Sequence, residues 1–356
     1  MNPLVAATVV LLAVTAAPYL VYLGLYVALR PRGVPVEKRA AEPSVSVVLP
    51  TYNEERIIER KLEDIVALDY PMEKVEVIVV DSSDDATRDI IRDFFAERSA
   101  PSLTLLEEDE RRGLAPALND AYAAAEKEMV VKTDCDSRVA PDALREAAAT
   151  LAAPDVAAVT GQNVEVLGGS AVESGYRGVQ AHIQTLESHL DSTLIFHGPF
   201  SAFENDAIVP VDPDSLADDT ELALRIRRAG ERVLFDPAVH YQEASHSGFV
   251  KRRKQKDRRG MGLIRLLVQH RDALGRYGNY GRLVLPFNWW FMVVSPWLVA
   301  LDVVLVSAAA VSLAGVPGLV VPAALVVFVS LGARDLLGPL GPLYSLFDTQ
   351  VSLLRA

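Results

Sequence analysis

The sequence predicts an α/β domain, built on a doubly wound, mostly parallel sheet and flanked by transmembrane helices. Three observations carry this expectation. From Ser44 onward, short Val/Ile-rich runs alternate with helical patterns, as in a parallel sheet covered by helices. Carboxylates stand where those runs end, Asp81 after VEVIVV and Asp134 and Asp136 after EMVVK. Both ends of the chain are long, apolar and nearly uncharged. Charge is costly at the end of a buried strand unless a ligand or cation compensates it, and open α/β sheets bind ligands at their carboxyl ends. A phosphate-bearing ligand and a divalent cation are therefore expected there.

The elements follow in order. Residues 3 to 29 carry no charge, and about 20 apolar residues cross a bilayer, so 1–30 is read as a transmembrane helix. It lacks the basic start of a cleaved leader. Val45 to Leu49 reads as the first strand, Glu54 to Leu68 as a helix and Val75 to Val80 as the second strand. Asp84 is placed to cap a helix using Ile90, Ile91, Phe94 and Phe95. A strand near Leu103 to Leu106, a helix near Ala115 to Glu126 and a strand near Met129 to Lys132 come next, and Pro141 should open another helix. With no low-complexity linker, 44–245 reads as one domain, followed by basic interfacial helices over 246–282.

Two further spans are expected within 285–333, from Leu285 to Leu313 with Asp302 its only charge, and from Val316 to Gly332. The tail, 334–356, is broken by Gly338, Pro339, Gly341 and Pro342 and is read as membrane-associated. Arg30, Arg32, Lys38 and Arg39 follow the first span, Arg276 and Arg282 precede the second, and Arg334 follows the third. By the positive-inside rule these place the central domain on the cytoplasmic side of an integral protein of the cell membrane.

Composition excludes several classes. Of 356 residues, 50% are hydrophobic and 23% charged, so the chain affords a folded core. A formal net charge of -12 disfavours nucleic acid as partner. Cys135 is the only cysteine, and the six histidines lack metal-binding spacing, which argues against a zinc hydrolase.

The chemistry is concentrated in a few motifs. Pro50 to Glu55, PTYNEE, is a polar turn in which Tyr52 can cover a base, or Asn53 can simply cap a helix. Asp81 can accept from a base or a ribose, or serve as a turn acid. Asp134 and Asp136, two apart in extended backbone, point to the same side and can share a metal with a diphosphate. Asp218 and Asp219 precede a helix, Glu221 to Ala229, where they can stabilise its dipole or supply a base for an acceptor hydroxyl. A lipid phosphate as acceptor has less need of a base. KRRKQKDRR, Lys251 to Arg259, carries seven basic residues and one acid, and suits lipid headgroups, a leaving diphosphate, or both.

As an ordered set over about 44 to 262, these motifs resemble the inverting glycosyltransferases of family 2, with the GT-A fold, and in layout the membrane synthases of the hyaluronan, chitin and cellulose type. PTYNEE is similar to the family's opening P-x-x-N-E, VIVVDSSDDAT to its second nucleotide motif, and RGLAPALNDAYAAAEKEMVVKTDCDS to its G-K-x-x-A-L-N stretch leading to D-x-D. HGPFSAFEND resembles the acceptor segment, ADDTELALRIRRAGERVLFDP the E-D segment and QKDRRGMG the Q-x-x-R-W segment. The resemblance implies donor contacts from Pro50, Tyr52, Glu54, Asp81, Asp134, Gln255 and Arg258, with Mg2+ or Mn2+ on Asp134 and Asp136. It implies Asp219 as the base and Gly198, Phe200 and Asp218 on the acceptor side. Leu114 stands where the family often has Lys, Asp218 replaces Glu, and Arg259 replaces the Trp of the processive enzymes.

The expected function is transfer of one or few sugars from a nucleotide sugar, taken as a UDP-sugar, to a lipid-linked acceptor such as a polyprenyl phosphate or lipid-linked glycan. Membrane lipids are further expected partners. A processive polysaccharide synthase and a catalytically silent nucleotide-binding scaffold are the alternatives.

Overall fold

Side chains alternate along the early strands: Val45, Val47 and Leu49 point to one face of the sheet, Val48 to the other. The computed structural model describes residues 2–167, 171–244, 249–334 and 336–356, and their side chains other than 166, 167, 171–176, 244 and 249–252. The expected boundary at 245/246, the side chains of Lys251 and Arg252, and Asp335 in the tail lie outside the described residues.

In chain order the elements are α1 (Pro3–Leu29), β1 (Val45–Thr51), α2 (Ile58–Val66), β2 (Val75–Asp81), α3 (Thr87–Phe95), β3 (Ser102–Glu107), α4 (Leu114–Ala124) and β4 (Met129–Lys132). There follow β5 (Ser137–Val139), α5 (Ala143–Leu151), β6 (Val156–Leu167), α6 (Ala171–Leu190), β7 (Ser201–Glu204), α7 (Asp218–Ala229), β8 (Arg232–Ala244) and α8 (Phe249–Gln269). Three helices complete the description, Tyr280–Ala314, Val316–Gly332 and Gly341–Arg355.

The sheet runs β3-β2-β1-β4-β7-β6-β8-β5. Its first four strands are parallel, as expected; beyond β4 the pairings are mixed, with β7 antiparallel to both β4 and β6, β6 parallel to β8, and β8 antiparallel to β5. The sheet is thus mixed rather than uniformly parallel. Its two faces each bury a layer. Ile58, Leu62 and Ile65 of α2 pack on one face with Ile91 and Phe95 of α3 and Leu144 of α5. Leu118 and Ala121 of α4 and Leu222 and Ile226 of α7 cover the other.

Two local expectations change. Helix α2 starts at Ile58, because Glu54 to Ile57 form a turn whose Glu54 carbonyl accepts the Ile58 amide at 2.9 Å. Asp85, rather than Asp84, supports the start of α3, its Oδ1 accepting the Thr87 amide at 2.9 Å. In the site's favour, β4 pairs with β1 only as far as Lys132 opposite Val48, whereas β1 continues to Thr51 opposite Asp81. The chain after β4 therefore turns off early and leaves a step in the sheet's carboxyl edge.

Two helices, Pro3–Leu29 and Tyr280–Ala314, are long and apolar enough to cross a membrane; Val316–Gly332 is shorter. They pair through Tyr22 stacked on Phe287 and through Tyr19 Oη, 2.6 Å from Ser295 Oγ. Val9, Val10, Leu20 and Leu23 stay exposed on α1, and Trp297, Leu301 and Val304 on its neighbour. Pro286 and Pro296 each follow the start of a segment entered through a π-turn, Tyr280–Val284 and Trp290–Val294, which accommodates the missing amide. The tail forms the helix Gly341–Arg355, docked on α8 by Asp348 against Arg253 and Lys256 and by Arg355 against Asp257.

Candidate active site

The turns after β1 and β2 are stitched together. Asn53 adopts a left-handed backbone (φ 58°); its amide donates to Ser83 Oγ at 2.8 Å, and its Oδ1 accepts the Asp84 amide at 3.0 Å. Asn53 therefore joins the two loops and does not cap α2. The Glu54 amide donates to Thr87 Oγ1 at 2.9 Å. Underneath, Asp81 is fully buried, accepting from Thr51 Oγ1 (2.5 Å), the Ser83 amide (2.9 Å) and Arg88 Nε (2.7 Å).

The aspartates after β4 and before α7 meet across Lys132. Its ammonium lies 2.7 Å from Asp134 Oδ1 and 3.2 Å from Asp219 Oδ2. Burial alone would depress Lys132, but Asp134, Asp219 and Asp218 carry it well above its ordinary value, so it stays charged. Burial raises Asp218 and Asp219 above the usual carboxylate range, against the pull of Lys132. Among the described residues, Asp218 Oδ2 and Asp219 Oδ1 are buried without hydrogen-bond partners. Gly198 packs directly on this group: a Cβ there would stand 2.6 Å from Asp134 Oδ2 and 2.7 Å from Lys132 Nζ. The Gly198 segment is tied to the aspartate loop by Thr133 Oγ1, which donates to the Pro199 carbonyl at 2.9 Å. From below, the buried Lys61 of α2 donates to Thr133 Oγ1 and to the Ser137 carbonyl, at 2.8 and 2.9 Å; burial lowers its pKa to about 8.

These groups line one cavity of about 560 Å3. Of the residues expected from the sequence, Pro50, Tyr52, Glu54, Asp134, Asp136, Gly198, Asp218, Asp219, Gln255 and Arg258 reach its wall. Asp81 does not, because its oxygens face the loops that it holds. Phe200 does not either: it is fully buried in the core beneath the sheet, which corrects its expected place on the acceptor side. Arg111 stacks over the Tyr52 ring at 3.9 Å, covering the face expected to meet a base.

Sequence reasoning missed Lys132, Lys61 and a cluster on the opposite wall. There Arg177 donates to Glu243 at 2.6 Å, and Arg259, which stands in place of the Trp of the processive enzymes, pairs with the same carboxylate. His197 Nε2–H donates to Gln184 Oε1 at 3.0 Å, the amide being oriented by Gln184 Nε2 donating to the Ile195 carbonyl. Burial and Arg177 lower His197 to about 3, leaving the ring neutral. Gly198 and Arg259 were legible in the sequence; their partners Lys132, Arg177 and Glu243 were not.

A divalent ion fits the donor set. Asp134 and Asp136 offer hard oxygen ligands beside unpartnered carboxylate oxygens, and burial followed by Asp136, Asp85 and Asp134 raises Glu54. Among the described residues no group of three or more His, Cys, Asp or Glu is preassembled to hold a metal.

The sequence model described as "Glycosyltransferase like family 2" matches residues 43–262. The chain belongs to this family. The glycosyltransferase match extends past β8 into α8, so the family region includes Arg177 and Arg259 of the cavity wall. Among solved structures the chain is similar to the mannosyltransferase PcManGT from Pyrobaculum calidifontis in complex with GDP-Man and Mn2+, at 30% identity and TM-score 0.82, covering 99% of this chain and 97% of that one. Among curated proteins it is similar to the probable glycosyltransferase YdaM of Bacillus subtilis (strain 168), 27% identical over 218 residues, 55% of this chain and 50% of that protein. It is likewise 27% identical over 202 residues to the poly-beta-1,6-N-acetyl-D-glucosamine synthase of Staphylococcus aureus (strain COL), 54% of this chain and 48% of that protein. The chain spans about half the length of these two relatives.

Proposed function

We propose that this family 2 glycosyltransferase transfers a sugar from a nucleotide sugar to a lipid-linked acceptor at a membrane surface, with inversion at the anomeric carbon. The observation that carries the proposal is one cavity that joins Asp134 and Asp136 after β4 and Asp219 in the first turn of α7 to Phe287, Phe291 and Met292 of the apolar helix Tyr280–Ala314. Basic residues beside the apolar helices support a cytoplasmic catalytic domain. Full-length likeness to a mannosyltransferase in complex with GDP-Man favours a GDP-sugar over the UDP-sugar expected from sequence.

In this reading an acceptor oxygen, a hydroxyl of a lipid-linked glycan or an ionised oxygen of a lipid phosphate, attacks the anomeric carbon while the bond from that carbon to the diphosphate oxygen breaks, and the nucleoside diphosphate leaves with the electron pair. Where the acceptor is a hydroxyl or a protonated phosphate, Asp219 takes its proton; its burial makes it a stronger base than an exposed aspartate. Lys132 holds Asp134 and Asp219 in mutual register. Tyr52, Gln255 and Arg258 contact the donor, and Asp81 acts indirectly by fixing the loops that carry Pro50, Tyr52 and Glu54. Mg2+ or Mn2+, held when bound by Asp134 and Asp136, would neutralise charge on the leaving diphosphate.

The test is transfer by detergent-purified protein from a panel of GDP- and UDP-sugars, with Mg2+, Mn2+ or EDTA and a membrane lipid extract. Asp136→Ala and Asp219→Asn should each lower turnover by about 10^2-fold or more while remaining folded. Near-normal transfer by either folded variant removes that residue's role. Likeness to a polysaccharide synthase makes product length a second readout: a ladder of long chains contradicts single transfer.

A further inference from the structure

The cavity wall facing the aspartates holds two guanidinium groups that the reaction above leaves unused. Arg177 on α6 donates through Nη2 to Glu243 Oε2 at 2.6 Å, and Arg259 on α8 donates through Nη2 to Glu243 Oε1. Burial works to raise Glu243, but the two arginines hold it at about 2, so all three groups are charged and the cluster has a net positive charge. A guanidinium carries five N–H donors, and a single carboxylate shared by two of them leaves donors to spare. Arg259 remains 45% exposed while lining the cavity, and Arg177 lines it too. The buried imidazole behind them is neutral, so it neither repels nor balances an incoming anion. The same cavity is lined by Gln184, Glu187 and Asn288 and by the apolar Ile183, Leu263, Phe287, Phe291 and Met292. The last three belong to the helix long and apolar enough to cross a membrane.

A cationic fork in the same cavity as apolar side chains of a membrane-like helix matches one ligand chemistry, an anionic headgroup on a hydrocarbon chain. We infer that Arg177 and Arg259, braced by Glu243, hold the phosphate of a lipid acceptor whose hydrocarbon lies along Phe287, Phe291 and Met292. The inference rests on the proposed transfer to a lipid-linked acceptor and gives that acceptor its headgroup and its place.

Binding of farnesyl monophosphate, farnesyl diphosphate and farnesol to the full-length protein in detergent, followed by titration calorimetry without any nucleotide sugar, tests the site apart from catalysis. Both phosphates should bind at least tenfold more tightly than farnesol, and Arg177→Gln/Arg259→Gln should erase that preference. A preference for the monophosphate or for the diphosphate supports the site in either case and separates a lipid phosphate from a lipid diphosphate. Equal affinity of the wild-type protein for farnesol and the phosphates overturns the inference, and that comparison stands even where the double variant fails to fold. Phosphate-selective binding without sugar transfer keeps this site and removes the proposed reaction. Lipid glycosylation by the double variant with an unchanged KM for the lipid keeps the reaction and removes the site.

Discussion

With its ammonium 2.7 Å from Asp134 and 3.2 Å from Asp219, Lys132 pairs with two carboxylates that the turn after β4 and the start of α7 bring together. Removing one partner of a buried ion pair leaves the other charges uncompensated. Lys132→Met is therefore expected to destabilise the fold by about 3–5 kcal/mol, read as a lowered thermal or denaturant midpoint; an unchanged midpoint contradicts the pairing. Gly198→Ala acts differently, because its Cβ would press on Asp134 and Lys132 without removing either charge. It should lose most transfer activity while the unfolding midpoint moves far less than in Lys132→Met. Wild-type turnover in Gly198→Ala would show that these groups yield freely. The aspartates were legible as residues because acids at strand ends are conspicuous. Lys132 was not, since a lysine closing a strand reads as a solvated end until β7 is seen to cover it. The Arg177–Glu243 pair, 66 residues apart, belongs to no local pattern at all.

At the scale of elements, the parallel half of the sheet followed from Val/Ile runs alternating with amphipathic helices, and Met129–Lys132 emerges with its expected bounds. The mixed half did not, because pairing direction depends on how β6, β7 and β8 return across the sheet rather than on their composition. The fit of α6 against the apolar helices adds a titration that sequence did not signal. Glu187 is buried, accepting from Asn288 Nδ2 (2.7 Å), Thr193 Oγ1 (2.9 Å) and the Leu194 amide (3.1 Å). These partners are neutral, and burial raises its carboxyl from 4.5 to about 7. Folding thus favours the protonated form, so the Glu187 contribution is fully present below 4.5 and is lost as pH rises through about 7. The difference corresponds to about 3 kcal/mol. Glu187→Gln should flatten this part of the stability profile between pH 4.5 and 7, measured as the unfolding midpoint against pH. Identical slopes in both proteins contradict the assignment.

For the molecule as a whole, apolar side chains left exposed along Pro3–Leu29 and Tyr280–Ala314 are costly in water and stabilising in lipid. The protein is expected to stay with the membrane pellet under alkaline carbonate and to be released by detergent; release by carbonate alone contradicts integral insertion. Phe287, Phe291 and Met292 of one of these helices line the cavity, so on the proposed reading membrane attachment and acceptor choice go together. The most direct measurement is mass spectrometry of the lipid fraction after incubating purified protein with GDP-mannose, Mn2+ and polyprenyl phosphate. The account predicts a metal-dependent lipid product heavier by a single hexose, absent with Asp136→Ala. A lipid fraction unchanged with every GDP- and UDP-sugar tested, from protein that is folded and loaded with nucleotide, would contradict it.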